Sequence, residues 1–99
     1  VMAKYRFTNK AVNDLTHIWN YTVRTWSEVQ ADKYYRQLLA FCKEAATNPL
    51  LGKSYEGVSN NLLGLKANHH IIFYKIITEK ETVIIRILHE RMDLKALAN

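Results

Sequence analysis

Glu56, His70, Arg86 and His89 are the side chains of this sequence best suited to chemistry on a phosphodiester. Cleavage of RNA through its 2′-hydroxyl needs a base for that hydroxyl, an acid for the leaving oxygen and a cation on the phosphate. Glu56 offers the base, His70 or His89 the acid, and Arg86 the cation. The set does not stand in a tight motif. His89 is followed by Glu90-Arg91-Met92-Asp93, whose carboxylates would repel a phosphate. Arg86 also has a structural reading. It interrupts the apolar run Val83-Ile84-Ile85-Arg86-Ile87-Leu88, and a charge facing inward needs a partner, such as Asp93 in the tail or an acidic residue of the loop.

His69-His70 raises the question of a metal. Adjacent strand residues point to opposite faces of a sheet, so this pair cannot readily chelate one ion. Neither a metal site nor a cofactor is expected. Cys42 falls on the apolar side of a helix, where a free cysteine packs as a small hydrophobe. With Cys 1, no disulfide can form within the chain, which suits a reducing compartment.

The elements that must position these groups read in chain order. Lys4-Tyr5-Arg6-Phe7 alternates as a short half-buried strand does. Thr8 offers an N-cap oxygen to a helix whose Ala11, Leu15, Ile18, Trp19, Thr22, Val23 and Trp26 form the apolar stripe. Asp14 and His17 fall largely on its polar side. Ser27-Glu28-Val29-Gln30 has the capping-box pattern and opens a second helix, which Asn48-Pro49 ends. The short link between them predicts an antiparallel helix hairpin. Residues 50–61 read as loop. Residues 62–66, 69–77 and 82–88 read as a three-strand meander, with turns at Ala67-Asn68 and at 78–81. Asp93 caps a last short helical turn through Leu94 and Leu97.

The predicted fold class is α+β: an N-terminal strand, an antiparallel helix hairpin packed on a mainly antiparallel sheet closed by the meander, and a short C-terminal helical tail. In the second meander strand Ile72, Tyr74 and Ile76 point one way, while Ile71, Phe73 and Ile77 point the other. One helix hairpin cannot cover two apolar faces. Either the loop and tail fold over the second face, or a partner does.

The 99 residues fit one domain spanning 1–99. Lys+Arg 14 against Asp+Glu 9 gives a net charge of +5, which favours an acidic partner. The basic residues form no run, so direct nucleic-acid binding is not expected. No apolar run approaches the roughly 18 residues of a membrane span, and no signal-peptide pattern opens the sequence; the expected location is the cytoplasm.

Several stretches resemble the ParE toxins of the RelE/ParE superfamily. They are Asp14-Leu15-x-x-Ile18-Trp19-x-Tyr21, Trp26, Gln30-Ala31-Asp32-Lys33-Tyr34, Asn48-Pro49-Leu50-Leu51-Gly52-Lys53, Ile72-Phe73-Tyr74, and Ile85-Arg86-Ile87-Leu88-His89-x-x-Met92-Asp93. The resemblance covers nearly the whole chain in order. It implies the toxin of a type II toxin–antitoxin module, a non-enzymatic inhibitor of DNA gyrase that a ParD-like antitoxin neutralises. The RelE branch of the superfamily cuts mRNA instead, and fold alone does not separate the branches. On the ParE reading, Arg86, His89, Met92, Asp93, Leu94 and Leu97 are the candidates for target binding. Trp19, Trp26, Tyr34, Tyr35, Ile71 and Phe73 are candidates for the antitoxin surface, although aromatic residues have a core reading first.

Overall fold

The structure, a computed structural model, describes residues 4–97. The order is β1 (Lys4–Phe7), α1 (Asn9–Thr25), α2 (Glu28–Thr47), β2 (Lys53–Ser54), β3 (Leu63–Ala67), β4 (His70–Thr78) and β5 (Glu81–His89), with short 3-10 turns at Pro49–Leu51 and Leu94–Leu97. The sheet has five strands in the order β1-β5-β4-β3-β2. Its β3, β4 and β5 form the antiparallel meander, and β1 runs parallel to β5. The α+β expectation therefore holds. One strand was not legible: Lys53–Ser54 reads as loop but pairs with Leu63 and Gly64.

Local chemistry sets the helix ends. The Thr8 hydroxyl accepts from the Ala11 N–H and starts α1. Ser27 starts α2 in the same way, its hydroxyl accepting from the Gln30 N–H. Asn48 closes α2 just before Pro49. The β3–β4 turn passes through Asn68 at φ 57°, a left-handed conformation that asparagine tolerates better than most residues.

Each face of the sheet has its own apolar cluster. Against the helices lie Ile72, Tyr74, Ile84 and Ile87, packed with Ala11, Leu15, Leu38, Cys42 and Ala45. On the opposite face, Leu62, Phe73 and Leu88 are buried beneath Tyr55 and Val58 of the loop and Leu94 and Leu97 of the tail. The open alternative about the second face is thus settled in favour of the loop and tail. Phe73 has no exposed surface, with the Tyr55 ring edge-on at 5.0 Å. It is removed from the candidate antitoxin surface, and half-buried Ile71 belongs to the same covered cluster.

A β-bulge in β5 decides where the charges go. Phe73 pairs with Arg86 and Tyr74 with Ile84, so Ile85 is an extra residue. The bulge shifts the alternation, and Ile84 and Ile87, three apart, share the helix face. The start of α1 is fastened to this point. The Thr8 hydroxyl donates to the Ile85 carbonyl at 2.7 Å. Asp14 accepts from Arg86 Nε at 2.8 Å, from Arg86 Nη2 at 2.9 Å and from the Ile87 N–H at 2.9 Å. Arg86 is therefore an internal ion pair, as its structural reading predicts, but the partner is Asp14 and not Asp93. Asp14 is itself buried on the inner side of α1, against the sequence expectation. A carboxylate can face the sheet because three N–H groups meet it there.

The side chains of Asp14 and Arg86 keep only 10% and 19% of their accessibility. Removing one partner strands the other in a poorly hydrated site, at a cost of about 3 kcal/mol. Asp14→Ala is expected to lower the unfolding free energy by roughly that amount in a urea titration. Asp14→Ala with Arg86→Met should recover much of the loss, because no charge is then left unpaired.

Candidate functional site

The linked end of the helix hairpin and the end of the sheet bearing the β3–β4 turn enclose a cleft of about 680 Å³. His17, Ile18, Tyr21, Thr22 and Trp26 of the first helix and its end form one wall. Gln30, Tyr34 and Gln37 of α2 form another, and Asn68, His69, His70 and His89 close it from the sheet. With His 4 in the whole sequence, every histidine of the chain lines this cleft. Trp26 stands at its rim with 73% of its surface exposed.

His70 and His89 are paired across β4 and β5, and their rings meet edge-on at 5.4 Å. Tyr34 organises the buried side of this pair. Its oxygen accepts the His69 N–H at 3.3 Å and lies 2.6 Å from His70 Nδ1. Burial raises the Tyr34 phenol above its ordinary range, so it remains a donor. Tyr34 and His70 Nδ1 thus share one hydrogen bond whose direction follows the His70 tautomer. Burial first, then the neighbouring His89 and His69, pull His70 down to about 4. His89 Nδ1 accepts the Arg91 N–H at 3.2 Å, which places the proton of the neutral ring on Nε2. Beside the cleft, Glu90 accepts from His69 at 3.1 Å and from Lys66 at 3.2 Å. The His69 hydrogen bond, then that of Lys66, hold its carboxyl below the usual range.

The candidate nuclease set is not assembled. His70 and His89 share the cleft. Arg86 is spent on Asp14, whose hydrogen bond keeps the guanidinium charged and occupied. Glu56 lies in the loop that covers the other face of the sheet, where its carboxylate accepts the Asn61 N–H at 2.8 Å and supports the left-handed turn at Asn61. Its role is to close a turn. Among the described residues, none that line the cleft is Lys or Arg. Among them, too, no three of His, Cys, Asp and Glu come together as a metal-binding group. Burial pushes the Cys42 thiol up to about 12, which leaves it unreactive.

Of the candidate antitoxin residues, Trp26 and Tyr34 meet in the cleft, while Trp19 and Tyr35 pack edge-on at 6.5 Å along the hairpin. Of the candidate target residues, His89 is exposed at the end of β5 and Met92 and Asp93 are exposed just beyond it. Leu94 and Leu97 are turned onto the second core, and Asp93 caps the final turn through the Lys95 N–H. His17, Gln37 and Asn68 of the cleft carried no sequence signal as site residues. They meet only because the hairpin brings both helices over the β3–β4 turn.

The profile of the family described as ParE toxin of type II toxin-antitoxin system, parDE, matches residues 5–94. The chain belongs to this family. Toxin ParE1 of Mycobacterium tuberculosis H37Rv is 32% identical over 92 residues, covering 93% of this chain and 94% of that protein. Toxin ParE1 of Caulobacter vibrioides is 33% identical over 95 residues, covering 96% and 97%. Among solved structures, a chain of a chromosomal ParDE toxin–antitoxin system from P. aeruginosa superposes with a TM-score of 0.76 at 20% identity, over 89% of this chain and 96% of that one. A chain of the RelBE2 toxin–antitoxin complex of Mycobacterium tuberculosis gives 0.61 at 21% identity, over 91% and 100%. These two likenesses bear on the fold. Among the described residues of this ParE-family toxin, no helix is long and apolar enough to cross a membrane.

The position of His70 predicts a pH dependence. In the unfolded chain it titrates near 6.5, and in the fold near 4. Between these values the unfolded state binds more protons, so stability is complete above about 6.5 and declines as pH falls toward 4. An NMR titration should place the His70 midpoint near 4, and His89→Gln should move it upward by removing a neighbouring imidazole.

Proposed function

We propose that this ParE-family toxin arrests growth by binding DNA gyrase, without covalent chemistry, and that a ParD-like antitoxin neutralises it. The observation that carries this reading is the family match across residues 5–94. The geometry of the candidate nuclease residues supports the non-enzymatic part. Glu56 is on the far face of the sheet, Arg86 is committed to Asp14, and His70 is unprotonated at neutral pH and so a poor general acid.

The proposed target surface is the exposed end of β5 and the segment beyond it, His89, Met92 and Asp93. Leu94 and Leu97 anchor that segment on the second core, and Arg86 holds β5 against α1. The proposed antitoxin surface is the cleft with Trp26 and Tyr34, continued along the hairpin by Trp19 and Tyr35. With a net charge of +5, the toxin attracts an acidic antitoxin and associates with it quickly. Gyrase places the site of action in the cytoplasm.

Induction of the chain in bacteria separates gyrase binding from mRNA cleavage. Filamentation, an induced DNA-damage response and inhibition of purified gyrase, all relieved by co-expressed ParD-like antitoxin, are the expected results. Prompt loss of translation with cut mRNA and unaffected gyrase would reject the proposal.

A further inference from the structure

The sheet ends in a free edge at β1. The Lys4 N–H reaches the Lys80 carbonyl at 2.8 Å, and the Thr8 N–H reaches the Ile84 carbonyl at 3.0 Å. Along a parallel ladder successive residues turn their main-chain groups to opposite sides. Lys4, Arg6 and Thr8 therefore face β5, and the N–H and C=O groups of Tyr5 and Phe7 point outward. Among the described residues, no hydrogen bond reaches these outward groups. Such a row is a template for another strand. The opposite edge offers less, because β2 is only Lys53–Ser54. The side chains of β1 are divided. Tyr5 and Phe7 are half-buried on the helix face, their rings edge-on at 5.7 Å, while Lys4 and Arg6 are exposed on the other face.

A second copy of the chain fits this edge badly. The antiparallel register that uses Tyr5 and Phe7 of both copies sets Arg6 against Arg6 in the closer, non-hydrogen-bonded kind of pair. Like charges placed there are destabilising. A strand with carboxylates at these places is attracted instead. Arg6 has a loose ion pair with Glu81 at 3.7 Å and keeps 61% of its side-chain accessibility, so it can take a further carboxylate. The net charge of +5 draws an acidic polypeptide in the same sense. We infer that an extended segment of the antitoxin adds to β1 as a further, antiparallel strand, with Asp or Glu opposite Lys4 and Arg6 and apolar residues opposite Tyr5 and Phe7. Tyr5 and Phe7 each donate one main-chain hydrogen bond to it and accept one from it. The two exposed cations thus reject a copy of the chain and admit the partner. This rests on the toxin–antitoxin reading above and adds to it an edge, a direction and a residue pattern.

The test is amide hydrogen exchange of the full chain, alone and with the ParD-like antitoxin encoded beside it. In the free chain the Tyr5 and Phe7 N–H groups should exchange fast, and that of Arg6, which faces β5, slowly. In the complex Tyr5 and Phe7 should slow by about a hundredfold. Charge gives a second reading. Arg6→Glu combined with Glu81→Arg keeps an internal ion pair but reverses the charge opposite the added strand, and should weaken the complex roughly tenfold. Lysine in place of the facing Asp or Glu of the antitoxin should restore most of that loss. A complex in which Tyr5 and Phe7 still exchange fast would sink the strand proposal and leave the toxin–antitoxin reading standing. If no complex forms at all, both fail. Protection of Tyr5 and Phe7 in the free chain that grows with its concentration would assign the edge to a second copy and overturn the proposal.

Discussion

The fold turns on one buried carboxylate. Asp14 meets the Arg86 guanidinium through two hydrogen bonds and the Ile87 N–H through a third. A helix and a strand from opposite ends of the sequence are thereby fixed at one point, and that point is a β-bulge. The bulge lets Ile84 and Ile87 pack together under the helices, while Ile85 joins the cluster on the other face. Without a partner for its charge, Arg86 could not occupy this position in an apolar strand. With Asp14 present, the same residue is a constraint on register. Thr8 adds to it by starting α1 and bonding the bulge carbonyl with one hydroxyl.

The cleft follows from that constraint. Holding α1 against β5 leaves the linked end of the hairpin above the β3–β4 turn and the end of β5. His70 and His89 then come together beneath an exposed tryptophan. The arrangement favours recognition over proton transfer, because the more buried imidazole is held neutral and the nearest strong cation is committed elsewhere. In a toxin of the ParE family, this is consistent with a surface that binds a polypeptide.

The helix hairpin, its caps, the meander and the short tail were legible because each depends on local sequence. Thr8, Ser27, Pro49 and Asn68 mark their boundaries within a residue or two. Alternation along β4 correctly divided Ile72 and Tyr74 from Ile71 and Phe73. Three features were not legible for physical reasons. Asp14 looked like a surface residue because its partner lies 72 positions away in sequence. The two-residue β2 is too short to show a period, and it exists only because β3 offers an edge. The bulge at Ile85 changes the strand alternation without any glycine to announce it. Among candidate site residues, chemistry alone grouped Glu56 with His70, Arg86 and His89, yet the sheet separates Glu56 from the histidines. The covering of Phe73 was likewise undecidable from an apolar pattern that fits a partner and a folded-back loop equally well.

Amide hydrogen exchange at Ile87 tests the central constraint most directly. Its N–H is bound by a side chain of α1 rather than by a neighbouring strand, so it is protected only while Asp14 stays in place. The account predicts exchange solely through global unfolding, with the same protection free energy as Ile72 in the core. Rapid exchange of Ile87 while Ile72 remains protected would show that the helix and the bulge part readily, and would contradict it.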